Sequence, residues 1–139
     1  MRRPVALLGL LAGATLLSAC ASLAPAPACP AGQSPARLIQ LGFGRKIGDQ
    51  VGVSEADFAR FVDEELTPRF PEGLTVLDAA GQWRSNAGPI VREPSKIVIL
   101  ALPGRAGGED KVEAVREAYK KRFSQEAVMA ITQPACLGF

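Results

Sequence analysis

Six side chains carry most of the chemistry this chain can offer: Arg69, Trp83, Arg92, Glu93, Lys96 and Tyr119. The fork of an arginine grips a carboxylate or phosphate, and Trp and Tyr beside it add flat apolar faces and a hydroxyl. Together these types suit a small anionic or aromatic ligand. A structural role is the simpler reading, since ion pairs and half-buried aromatics at hairpins are routine: Glu93 paired with Arg69 or Lys96, Trp83 capping the core, and Tyr119 in a helix with its hydroxyl at the rim. Ordinary catalytic equipment is missing. The chain has no histidine, which removes the commonest general base, the usual zinc and haem ligand, and any Ser-His or Cys-His nucleophile. Asp63, Glu64 and Glu65 are consecutive, so on a helix they splay around the axis as a solvated face. Gly42-Phe43-Gly44 lacks the later glycine and the helix start of a phosphate loop. No catalytic residue, metal ligand or cofactor is expected.

The chain has three cysteines, and each has its own chemistry. Cys20 closes the stretch Leu17-Ser18-Ala19-Cys20 behind Arg2, Arg3 and an uncharged apolar run over residues 5–17, which is the build of a secretory signal. Leu-Ser-Ala-Cys resembles the lipobox of bacterial lipoproteins. That resemblance implies a diacylglycerol on the Cys20 thiol, a mature chain starting there, and a bilayer as partner through the acylated cysteine. Two or three acyl chains give lasting attachment where one does not. The same stretch also reads as ordinary secretory cleavage around Ala19-Cys20-Ala21, or as an uncleaved span over residues 5–24. All three readings put the body outside the cytoplasm. Ala21, where an Asp would retain a lipoprotein at the inner membrane, implies the periplasmic face of the outer membrane. With Cys20 acylated, Cys29 and Cys136 remain as a disulfide pair, two free thiols being the alternative. A bridge closing a loop on the order of 100 residues stabilises by about 4.7 kcal/mol in the chain-entropy account.

The elements that must position these groups follow from punctuation and periodicity. Residues 1–19 form the signal, 20–36 the lipidated cysteine and an Ala/Pro-rich tether with Pro25, Pro27, Pro30 and Pro35, and 37–139 a single domain. Ile39, Leu41 and Phe43 alternate and predict a strand over 37–43, followed by a glycine-punctuated loop to residue 53. Ser54 caps a helix through Phe58, Phe61, Val62 and Leu66, which Pro68 and Pro71 stop. A second strand runs over 74–81, and Trp83 and Ile90 flank a hairpin around Asn86 and Gly88. Residues 97–102 are a continuous apolar run that wants burial on both faces. A second helix spans 109–123, with Val112, Val115, Tyr119 and Phe123 on one stripe, and a last strand covers 128–132.

This order is the split βαβ pattern of a ferredoxin-like α+β domain (βαββαβ), a four-stranded antiparallel sheet with both helices on one face. Its first and last strands lie side by side, which brings Cys29 and Cys136 to one end. The helices leave the other face open, so the run at 97–102 asks for a cover: a homodimer through the open sheet face, the loop over 44–53, or a bound apolar ligand. Sheet-to-sheet pairing of two copies is the expected answer.

Arg69-Phe70-Pro71-Glu72-Gly73-Leu74-Thr75-Val76, Gly81-Gln82-Trp83, Arg92-Glu93-Pro94-Ser95-Lys96 and Tyr119-Lys120-Lys121-Arg122-Phe123 together resemble the bacterial family known as domain of unknown function 3574. The resemblance spans about residues 38–136. It implies an envelope lipoprotein of unassigned activity and transfers no catalytic residue. The formal charge of +2 comes entirely from the two arginines of the signal, so the mature chain is balanced and has no footprint for nucleic acid. Two functions of different kinds follow. The expected one is a membrane-tethered, non-catalytic binding or interaction module. The alternative is an enzyme of the dimeric α+β-barrel kind acting on a small apolar or aromatic substrate.

Overall fold

The computed structural model describes residues 28–84, 86, 88–104 and 106–139. The signal over residues 1–19, the acylation site Cys20 and the tether to residue 27 lie outside the described residues. Sheet pairing begins earlier than periodicity suggests. Strand β1 covers Ser34–Gly44, so Ser34, Pro35 and Ala36, expected in the tether, are in the sheet. Pro35 is tolerated because it stands at the strand's start, where a missing N–H costs least. The glycine-punctuated stretch after it is a small hairpin of β2 (Lys46–Ile47) and β3 (Gln50–Val51), turning at Gly48 with φ 62°.

Helix α1 (Glu55–Phe61) starts as the capping box demands, with the Ser54 hydroxyl accepting from the Asp57 N–H at 3.1 Å. It continues as a π-helical turn over Val62–Leu66, in which the Thr67 N–H donates to the Val62 carbonyl at 2.9 Å. Strands β4 (Thr75–Arg84) and β5 (Ile90–Pro103) form the expected hairpin, with Trp83 opposite Val91 and Arg84 opposite Ile90. Helix α2 (Glu109–Phe123) and strand β6 (Met129–Leu137) complete the chain.

The sheet order is β4-β5-β1-β6 with every neighbour antiparallel, which is the ferredoxin-like arrangement. Pro35 lies opposite Cys136, and Cys29 is bonded to Cys136 across a Cα–Cα distance of 5.6 Å. The core lies between the sheet and the helices. Ile39, Leu41, Phe43, Val98 and Leu100 meet Phe58, Phe61, Leu66, Val115 and Tyr119, all with 2% or less of their surface exposed.

Because directly paired residues share a face, the register also defines the opposite, open side. Even positions of β1 and odd positions of β4, β5 and β6 lie there, Leu38, Leu77, Ile97, Ile99 and Ile131 among them. Leu77 and Ile131 remain 47% and 44% exposed. Of all residues that the register puts on this face, Glu93 alone bears a charge.

Candidate functional site

Toward the end of β1 the open face is built from small residues. Gly42, Gly44, Ala79, Gly81 and Ser95 leave the sheet backbone bare, while Trp83 and Met129 stand on either side, and the result is a trough of about 370 Å³. The glycines are needed for close approach. A Cβ on Gly44 would collide with the Glu93 carboxylate, and one on Gly81 would lie 2.5 Å from the Ser95 hydroxyl. Side chains there would fill the space that the trough now leaves open.

Glu93 forms one end of the trough and is 9% exposed. The Trp83 indole Nε1–H donates to one carboxylate oxygen at 2.8 Å, and the Lys46 backbone N–H donates to the other at 2.9 Å. No ion pair among the described residues includes Glu93. Burying a carboxyl group held only by neutral donors, with no counter-charge beside it, costs free energy.

The structure therefore brings together two of the six candidate residues, Trp83 and Glu93, and disperses the rest. Glu93 pairs with neither Arg69 nor Lys96. Strand parity is the reason: positions 93 and 96 of β5 face opposite sides of the sheet. Lys96 lies under the helices, 5.9 Å from the Phe58 ring centre, paired with Asp78 and, at 2.6 Å, with Glu55. Asp78 and then Glu55 raise the Lys96 pKa, while Lys96 lowers both carboxyls. Arg69 donates to the carboxylate of Glu65 at 2.8 Å and to its backbone carbonyl at 2.7 Å. Arg92 is exposed, on the opposite face from Glu93.

Tyr119 is wholly buried rather than at a rim. Its O–H donates to the Gly44 carbonyl at 2.8 Å and so ties α2 to the strand that floors the trough. Burial, assisted by Glu93 and opposed by Arg45, pushes the hydroxyl pKa well above the ordinary tyrosine range. The anion-binding set read from residue types is thus replaced by a carboxylate with an indole. Among the described residues, no group of three or more His, Cys, Asp or Glu side chains could hold a metal ion, and no helix is long and apolar enough to cross a membrane. The residues that sequence reasoning missed are Gly42, Gly44, Gly81 and Ser95. For the two glycines of β1 the signal was present, since Gly42 and Gly44 alternate with Leu41 and Phe43 and strip one face bare.

A family model described as "Protein of unknown function (DUF3574)" matches residues 39–139. No curated protein matches the sequence. Among solved structures, the chain is similar to a phage SAM lyase in complex with S-methyl-5'-thioadenosine, with 17% identity and a TM-score of 0.59 over 75% of this chain and 90% of that one. It is also similar to the phage SAM lyase in its apo state, with 17% identity and a TM-score of 0.55 over 82% and 96% of the two chains. CutA1 from Oryza sativa is similar at 11% identity, with a TM-score of 0.49 over 78% and 86%. At these identities the similarity to the lyase structures is one of fold.

Proposed function

We propose that this chain, which belongs to the DUF3574 family of proteins of unknown function, is a lipid-tethered protein of the bacterial envelope whose body binds a small ligand in the trough on its open sheet face, without catalysis. The trough itself carries this reading: about 370 Å³ of space floored by bare backbone, walled by Trp83 and Met129, and ended by a buried carboxylate. A histidine-free chain supports binding over turnover. The Leu17-Ser18-Ala19-Cys20 motif supports acylation at Cys20 and a place on the periplasmic face of the outer membrane. The Cys29–Cys136 bridge supports an oxidising compartment. Outside the trough, the same face is apolar and uncharged at Leu38, Leu77, Ile99 and Ile131, so two copies can meet there as a homodimer without opposing like charges.

Trp83 is the chain's single tryptophan and reports on the trough directly. Titrating the mature protein with benzyl alcohol as a neutral aromatic probe should shift Trp83 emission saturably. Ala79→Leu, which fills the trough, should abolish the shift at an unchanged melting temperature. An emission that never responds to the probe in the wild-type protein sinks the reading. Consumption of SAM by the wild type but not by Ala79→Leu would replace it with an enzymatic one.

A further inference from the structure

We infer that the ligand of this trough carries a positive charge: a small organic cation such as an ammonium, sulfonium or guanidinium group joined to an apolar body. This rests on the trough being a binding site and names the chemistry it selects. Glu93 is the one charged residue that the register puts on the open face, and it lies at the trough's end with 9% of its surface exposed. Each carboxylate oxygen accepts one bond, from Trp83 Nε1 and from the Lys46 N–H. A carboxylate has about four lone-pair sites, so half its accepting capacity remains. Neither donor group is charged, and two neighbouring cations are committed elsewhere: Lys96 to Asp78 and Glu55, Arg45 to Glu55 and the Val53 carbonyl. Lys46 borders Glu93 in an adjoining hollow, but among the described residues its ammonium makes no ion pair with the carboxylate.

Small residues bring a ligand close to this charge, and the Trp83 ring beside it offers the aromatic face that organic cations favour. An anion would be repelled by Glu93. A hard metal ion needs several oxygen ligands, and no such cluster occurs among the described residues. A purely structural carboxylate would need only to accept the two hydrogen bonds that tie β4 and β2 to β5, and a glutamine could supply much of that.

Choline and 3,3-dimethylbutanol separate these cases, since they share a shape and differ in charge. Each is measured by displacement of benzyl alcohol, followed through Trp83 emission. Choline should bind wild-type protein at least about tenfold more tightly than the alcohol, as charge-assisted contacts imply, and Glu93→Gln should erase that preference. Equal affinities in the wild type overturn the inference and leave the trough reading standing. A preference that persists undiminished in a folded Glu93→Gln also overturns it, because another group would then be reading the charge. If Glu93→Gln fails to fold, the wild-type preference and its weakening by added salt still decide. Failure of benzyl alcohol itself to bind would remove both readings together.

Discussion

The Tyr119 ring touches Phe43, Phe61 and Phe123 at centroid distances of 4.7, 5.0 and 4.8 Å, while its hydroxyl donates to the Gly44 carbonyl. The raised hydroxyl pKa has a stability consequence whose sign is fixed. In the unfolded chain the phenol loses its proton near pH 10, whereas in the folded chain burial first, and then Glu93, hold it on. The resulting stability is complete at neutral pH and is lost as pH climbs past the unfolded value toward the higher folded one. Urea midpoints should therefore fall above about pH 10, and Tyr119→Phe should flatten that fall while costing about 1 kcal/mol at neutral pH. An unchanged alkaline limb in the variant would assign the effect to other groups. The burial of Tyr119 was legible from its helical spacing with Val112 and Val115. Its partner Gly44 was not, because only the tertiary fold joins positions 75 residues apart. Glu93 likewise stood out by type, but its partners depended on which way one strand residue faces, and parity could not be set while the strand was expected to begin at residue 97.

Between elements, Lys96 joins β5 to β4 through Asp78 and to the first turn of α1 through Glu55, which also meets Arg45. Both carboxyls are held below their ordinary values of 3.8 and 4.5, with the Lys96 hydrogen bond the largest cause in each. Depressed carboxyls contribute stability above their unfolded pKa and lose it as pH falls through the folded one. Lys96→Met keeps the stem against Phe58 and removes the charge. Denaturation midpoints of wild type and variant should therefore converge as pH drops from 5 toward 3, on the order of the range spanned by the two groups. Parallel acid limbs would show that the pairs contribute nothing measurable. Element order was readable because helix and strand periods differ, and α2 lies where its apolar stripe and its terminal charges put it. Strand extents were not. Ile90–Lys96 and Gln133–Leu137 pair fully, yet their polar and small residues carry little alternation. They are in the sheet because their neighbours offer hydrogen bonds, an effect no local pattern records.

Across the whole molecule, the bridge and the trough lie at opposite ends of the sheet. Cys29 is bonded to Cys136 opposite Pro35, near the start of β1, while the trough lies over Gly42 and Gly44 near its end. At 3.3 Å per residue the intervening strand spans roughly 30 Å. The described chain enters at the bridged end, where the bridge pins the segment before β1 to the last strand, so the trough lies at the far end of the sheet from that entry. The shared location of the two cysteines was legible because the topology makes the first and last strands neighbours, whereas the trough needed the register. Replacing both Cys29 and Cys136 with serine should lower stability by about 2–4 kcal/mol, since a closed loop of 107 residues is released in the unfolded state. Affinity for benzyl alcohol in the trough should stay the same, because sites so far apart with no shared partner behave independently. Denaturant unfolding and Trp83 titration of the same double variant test both halves together. A loss of affinity alongside the loss of stability would mean that the bridge holds the sheet's geometry along its whole length, and that its effect lies in the folded state as well as the unfolded one.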